Sequence, residues 1–190
     1  MEIDFYKKEL KKYLINDEKR YNHCIGVMNM CKKLSTIYGQ DVERAMKIGI
    51  MHDLAKDFSK EEKLNFCFEN KIEVDDVEKA SPGILHGKIA AFICRRDYQF
   101  DDEMCEAIAV HTTGKANMTT LEKILFVSDK IDETRTYEDV DYYRNLAYND
   151  LDRAIIEIIN YVIMDCTKND KIIHNKSIES RNFLLINQNK

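Results

Sequence analysis

A histidine and an aspartate stand in tandem, His52-Asp53, within Ile-Met-His-Asp-Leu-Ala-Lys, between an apolar helical stretch and a turn. A neutral imidazole beside a carboxylate offers a divalent cation two ligands of different kind, which one ion can take together or two ions can share. His23, His86, His111 and Asp129 each lie in a further segment that reads as helix. Brought together in a helical domain, this set of nitrogen and oxygen ligands would build a one- or two-metal hydrolytic site. Any one of these histidines alone would be an ordinary hydrogen-bonded core residue, so the weight lies in the set. Imidazoles mixed with carboxylates, and no suitably spaced thiolates, suit Fe, Mn, Co, Ni or Zn at a catalytic centre rather than a closed structural zinc. A buried Asp129 would also be costly without a cation or several hydrogen bonds.

The elements that must position these groups read as helices throughout. One proline and six glycines interrupt 190 residues, and alternating strand-like runs are almost absent. His23, Val27, Met30, Cys31 and Leu34 form one stripe at helical spacing, which turns His23 inward, and Gly39 is placed to stop that helix. The next helix is expected from about Asp41 to Asp53, with Ala45, Ile48 and His52 on one face. Ser59 to Glu62 and Thr119 to Glu122 are capping-box patterns, and the helix after the second carries Leu121, Ile124, Leu125 and then Asp129 on its inner face. Ser81-Pro82-Gly83 breaks the chain before His86, and Ile89, Ala90 and Ile93 follow in register. Asp101 should cap a helix that carries Met104, Ala107, Ile108 and His111 inward, with Gly114 ending it. A long amphipathic segment from about Asp150 to Thr167 and a polar, partly helical tail close the chain, with no linker or repeat in view. The expected architecture is one all-α domain.

Composition sets further bounds. A formal charge of −5 argues against a polynucleotide-binding role, which needs a broad basic face, but leaves room for a small phosphorylated ligand gripped by local cations. The six cysteines form no CxxC pair and fall mostly among apolar neighbours, as small core residues of a reducing cytoplasm do. A Cys24–His23 nucleophilic pair is disfavoured, because adjacent helical residues point about 100° apart. Met1 to Lys12 is highly charged and lacks the apolar core of a signal peptide, and no apolar run has the length of a membrane span. A cytoplasmic protein is expected.

Five segments in order carry a more specific likeness: Arg20-Tyr21-Asn22-His23, His52-Asp53-Leu54-Ala55-Lys56-Asp57, Leu85-His86-Gly87, His111-Thr112-Thr113-Gly114, and Ser128-Asp129-Lys130-Ile131-Asp132-Glu133-Thr134-Arg135. His23, His52-Asp53 and Asp129 on successive helices resemble the metal motif of the HD-domain phosphohydrolases. The extended set resembles one bacterial family within them, the symmetrical bis(5′-nucleosyl)-tetraphosphatases, often called YqeK-type proteins. That family usually has alanine before the last metal aspartate and proline before the arginine of the following turn, where this chain has Ser128 and Thr134.

The resemblance implies a compact helical HD-domain fold with a dinuclear centre. His23, His52, Asp53 and Asp129 would hold one ion, and His86 and His111 a second with Asp53 as bridge. Iron is the expected metal, with Mn, Co, Ni and Zn as alternatives. The implied reaction is hydrolysis of diadenosine tetraphosphate to two ADP, with the metal-binding core at about 18–135 and C-terminal helices at about 137–190. Basic residues near the ligands suit that chemistry: Arg20 lies three residues from His23, and Lys56 three from Asp53. Asp53, Lys56 and Arg20 are the candidate catalytic residues. Arg20, Lys56, His86, Thr112, Thr113, Gly114 and Arg135 are the candidate substrate contacts. Lys88 and Lys115 read as solvated surface, and His174 as exposed and uninvolved. Tyr137, Tyr142, Tyr143 and Tyr148 would serve either as a stacking surface for adenine or as packing. An apolar stripe on the last helices would serve a homodimer or complete the core. The rival readings are another HD-domain phosphohydrolase, acting on a nucleotide or cyclic dinucleotide, and a non-catalytic metal-dependent nucleotide sensor.

Overall fold

Side-chain caps set where most of the helices begin. Asp17 accepts the backbone N–H of Arg20 and opens α2 (Glu18–Ile37), after α1 (Glu2–Tyr13). Asp41 accepts two amides at the head of α3 (Val42–Met51). Reciprocal capping boxes open α4 (Lys60–Glu69, Ser59 with Glu62) and α5 (Asp76–Ala80, Asp75 with Glu78). A 3-10 turn over Pro82–Leu85 then leads into α6 (His86–Tyr98). Asp101 caps α7 (Asp102–Val110), and the Thr119–Glu122 box opens α8 (Thr120–Ile131). The chain ends in α9 (Val140–Asn149), α10 (Leu151–Lys168, capped by Asp150) and α11 (Asn175–Asn187). Each cap satisfies amides that the helix itself leaves free, at about 1 kcal/mol apiece. The computed structural model describes residues 2–187, and among these no strand occurs.

α2, α3, α7 and α8 surround the apolar centre, where Leu34, Ile48, Met51, Ile108, Ile124 and Leu125 are fully buried. Burying one such side chain contributes about 1.5–3 kcal/mol, so this centre rather than the caps holds the helices together. α6 lies against α7 at Gly87, where an added Cβ would stand 2.9 Å from the Ile108 carbonyl oxygen. That close approach brings the start of α6 beside the end of α7. Residues Ile155, Ile156, Ile158 and Ile159 of α10 complete the core, while Tyr161 and Met164 farther along it are exposed.

Five of the six cysteines are buried and all are free. Burial pushes the Cys24 thiol well up, which removes it as a nucleophile at neutral pH. Among the described residues no helix is long and apolar enough to cross a membrane.

Three expectations need correction. His174 is not exposed: it is buried, with Nε2 3.2 Å from Asp75 Oδ2. Lys88 is half-buried against the buried Glu78 at 2.7 Å, and Lys115 against the buried Glu122 at 2.9 Å. Each of those glutamates belongs to a capping box, and a buried carboxylate needs a cation nearby, so the lysines serve the helix ends rather than open solvent.

Candidate metal centre

Helix ends supply most of the site. His23 is one turn beyond Arg20 in α2, His52 follows the last residue of α3, and Asp53 lies in the turn behind it. His86 is the first residue of α6, and His111 directly follows α7. Asp129 sits in the last turn of α8. All six predicted ligands are at most 6% exposed.

Their inward atoms converge. His23 Nε2 lies 3.0 Å from Asp129 Oδ1, and His52 Nε2 lies 3.6 Å from Asp53 Oδ2 and 3.7 Å from Asp129 Oδ1. His86 Nε2 and His111 Nε2 lie 2.9 and 3.6 Å from Asp53 Oδ1. Two triplets, His23–His52–Asp129 and His52–Asp53–His111, have ligand atoms within 4.8 Å of one another, and His52 belongs to both.

The outward nitrogens fix the tautomers. His52 Nδ1 lies 2.8 Å from the Gly49 carbonyl, His86 Nδ1 2.7 Å from that of Gly83, and His111 Nδ1 2.7 Å from that of Ile108. A carbonyl oxygen only accepts, so each Nδ1 carries a proton and each ring turns its Nε2 inward. His23 follows the same plan with a different acceptor, its Nδ1 lying 3.1 Å from Asp132 Oδ2. Lone pairs thus face lone pairs: His86 Nε2 and His111 Nε2 are 3.0 Å apart, and neither has a proton to share. His52 Nε2 and Asp53 Oδ1 are buried without a hydrogen-bond partner, although Asp53 Oδ1 has imidazole nitrogen at ion-pair distance. Buried acceptors aimed at one another are satisfied by a cation among them, so the residues present fit a divalent metal.

Proton affinities divide along the same lines. Burial pulls the His86 imidazole down, against the opposing pull of Asp53, and pulls His111 down to about 4. For His23 burial acts in the same direction, but the carboxylates of Asp129 and Asp132 outweigh it and the group sits above the ordinary value. Burial works against ionisation of Asp53 and Asp129. The imidazoles around Asp53, and Lys130 with His23 and His52 around Asp129, hold both well below the usual carboxylate range.

Cations rim the cluster. Arg20 Nη1 lies 2.8 Å from Asp53 Oδ2, and Lys56 Nζ lies 3.2 Å from His86 Nε2 and 3.7 Å from Asp53 Oδ1. Burial lowers the Lys56 ammonium despite the nearby Asp53. Arg135 reaches Asp129 Oδ1 at 3.2 Å and Asp132 Oδ2 at 3.1 Å. A cleft of about 800 Å³ opens beside the cluster, lined by Arg20, Asn22, His23, Arg135 and Tyr137. Its size suits a nucleotide.

The structure does not bring every predicted contact to this centre. Thr112 Oγ1 is 3.2 Å from His111 Nε2, but Thr113 is buried with its hydroxyl on the Gly114 carbonyl, and Gly114 packs against Ser180 of α11. Of the tyrosines, Tyr137 stacks on Tyr161 with centroids 6.0 Å apart, Tyr143 is buried, Tyr142 is exposed and Tyr148 lies under Lys33. Asp57 is exposed.

Two residues of the site were not singled out from the sequence. Asp132 is fully buried and accepts from His23, from Arg135 and from both the hydroxyl and the amide of Thr134. Lys130 places Nζ 2.5 Å from Asp129 Oδ2. The available signal was Asp132 one helical turn after Asp129, followed two residues later by a hydroxyl able to cap it.

A helical fold with a buried cluster of imidazoles and carboxylates at its helix ends is the arrangement of the HD domain, and the chain belongs to the HD-domain family, whose model matches residues 20–134. HD-domain hydrolases are metal-dependent. Within that family the chain groups with the symmetrical bis(5′-nucleosyl)-tetraphosphatases. It is 35% identical to the protein of that name from Staphylococcus aureus over 96% of this chain and 94% of the relative. It is 34% identical to the one from Halalkalibacterium halodurans, over 90% and 91% respectively. A crystal structure from Clostridium acetobutylicum, of a protein titled a predicted HD superfamily hydrolase involved in NAD metabolism, superposes with a TM-score of 0.90. It is 32% identical, and the match covers 94% of this chain and 96% of that one.

Proposed function

We propose that this protein hydrolyses diadenosine tetraphosphate at its central bridge, releasing two ADP, at a centre of two divalent ions. The observation that carries the reading is the set of four imidazoles, each with Nδ1 tied to an acceptor and Nε2 turned onto Asp53 or Asp129. His23, His52, Asp53 and Asp129 would hold one ion, and His86 and His111 the other, with Asp53 shared between them. Bound metal would supply Lewis acidity toward the phosphates and activation of water, and iron is the proposed native ion, with Mn, Co, Ni and Zn as substitutes.

The protein's own residues do the rest. Arg20, Lys56 and Arg135 neutralise the phosphate chain and hold it against the centre, and Thr112 offers a hydroxyl at its edge. Thr113 and Gly114 support the turn from behind. Water adds to one of the two central phosphorus atoms, and the bridging oxygen leaves with the other half, so both halves depart as ADP. The identity of Arg20 matters for more than charge, because a planar guanidinium can hold two phosphate oxygens at once. Arg20→Lys is therefore expected to lower kcat/KM, by about tenfold if one hydrogen bond to a charged oxygen is lost.

Chromatography of the products of the metal-loaded protein tests the reading. ADP alone is the expected outcome, whereas AMP with ATP would discard the central cut. Residues 18–135 are proposed as the metal-binding core and 137–187 as C-terminal helices, with 188–190 lying outside the described residues. Buried free thiols support a reducing, cytoplasmic setting. Exposed Tyr161 and Met164 on α10 support a homodimer, which sedimentation at working concentration would check.

A further inference from the structure

The last helix touches the backbone of the active site from behind. Ser177, Ser180 and Leu184 are the buried residues of α11 and lie on one face of it. Ser177 Oγ donates to the Thr113 carbonyl at 2.9 Å in a buried hydrogen bond that spans 64 residues of chain. Ser180 packs on Gly114, whose φ is +67°, so closely that an added Cβ there would lie 2.9 Å from Ser180 Oγ. Thr113 and Gly114 are the two residues that close the turn carrying His111 and Thr112, and their amides bond back to Val110 at the end of α7.

The segment leading into α11 makes a second contact, on the other half of the same pair of histidines. His174 Nδ1 accepts the Lys176 amide, which leaves Nε2 as the protonated nitrogen, and that atom faces Asp75 Oδ2 at 3.2 Å. Asp75 caps α5, which runs into the 3-10 turn whose Gly83 carbonyl accepts from His86 Nδ1. α11 and the residue just before it thus touch the turn that carries His111 and the cap of the helix that leads toward His86. The hydrogen bonds of His23, Asp129 and Asp132 involve no residue of α11.

We infer that α11 is a positioning element for the His86–His111 half of the centre, with Ser177 as its principal positioning residue, acting through the Thr113 carbonyl. The inference rests on the two-ion reading given above. A carbonyl held by Ser177 fixes the turn, the turn fixes the His111 ring, and His111 Nε2 is aimed at Asp53 and His86. Loss of the hydroxyl leaves a buried carbonyl without its donor and lets the turn shift, which weakens the second ion and spares the first.

The test uses the full chain loaded with Mn(II), reading metal affinity, the electron paramagnetic resonance spectrum, and turnover of diadenosine tetraphosphate. Wild type should bind two ions and show a spin-coupled pair. Ser177→Ala should bind the second ion about 10–100-fold more weakly, convert the coupled spectrum to that of isolated Mn(II), and lose kcat more than KM. Ser177→Thr, which retains the hydroxyl, should restore the pair. Ser180→Ala removes a hydroxyl that has no hydrogen-bond partner and should leave the coupling unchanged. If Ser177→Ala does not fold, His174→Gln takes its place, with a smaller loss of the same second ion expected. Retention of the coupled pair at wild-type affinity in the variant, with only a lower melting temperature, would overturn the inference. Wild type that binds a single ion would overturn the two-ion reading, and this inference with it.

Discussion

His23 is aimed by a carboxylate 109 residues away, Asp132, whereas His52, His86 and His111 are each aimed by a backbone carbonyl three residues earlier in their own turn. The second device is local. It needs only a helix end or a 3-10 turn with a free carbonyl, and the free energy of forming that turn also orients the ligand. The first device depends on the packing of α2 against the end of α8, and it adds charge. The proton affinities of the two halves also diverge: at His23 the carboxylates of Asp129 and Asp132 outweigh burial and raise the group, whereas at His86 and His111 burial prevails and lowers both, although the Gly83 carbonyl pulls His86 the other way. Both devices turn Nε2 toward the centre, but the His23 half should be sensitive to side-chain substitution and the His86–His111 half to backbone position.

The largest effect is expected where the halves meet. His52 belongs to both ligand triplets and Asp53 is within ion-pair distance of four imidazoles, so His52→Ala or Asp53→Ala should reduce turnover by more than about a thousandfold and strip metal from both halves. The helical circular dichroism should persist. Full metal content in either variant would contradict the shared centre.

Asp132→Ala should weaken metal binding about 10–100-fold, because His23 loses its orienting acceptor and Arg135 and Thr134 lose theirs. Calorimetric titration of the variant checks this, and unchanged affinity would make Asp132 a structural acid only. The corresponding break in the other half is Gly87→Ala. Its Cβ would meet the backbone of α7, which forces α6 and α7 apart at an expected cost of roughly 1–3 kcal/mol in denaturant unfolding, with loss of activity concentrated in metal affinity.

The smallest effect is the pH dependence of the chelated protein. His111 binds its proton near pH 6.5 when unfolded but only near 4 when folded, so its contribution to stability is lost as pH falls through that window. His23 has the opposite sign: its folded value is raised, so its contribution is present below the unfolded value and is lost as pH rises through the folded one. Melting temperatures should therefore fall less steeply between pH 6.5 and 4 in His111→Gln, whereas His23→Gln should keep that acid limb and lose instead the stability gained as pH falls toward 6.5 from above. Identical profiles for the two variants would remove the distinction between the halves.

The same distinction explains what could be read in the sequence. Ser59–Glu62, Asp101 and Thr119–Glu122 are local patterns, and the helices they open begin where expected. His52, His86 and His111 are legible because each stands at a break between periodic segments. Asp132 escaped because its partner lies on α2, and no local spacing records a contact over 109 residues. His174 was misread for a related reason: the residues around it are polar, yet α11 folds back and buries it beside Asp75. Lys88 and Lys115 carry charges that look superfluous until Glu78 and Glu122 are seen to be buried. Thr113 and Gly114 share a motif with His111, but the turn that presents His111 and Thr112 directs the next two residues toward the last helix.

Titration of the chelated protein with iron or manganese, with ADP formation from diadenosine tetraphosphate followed against bound metal, addresses the central claim most directly. The expected result is no turnover without metal, ADP as the sole nucleotide product, and a rate that saturates at about two ions per chain. A full rate in the chelated protein, or a saturated centre that forms no ADP, would contradict the account.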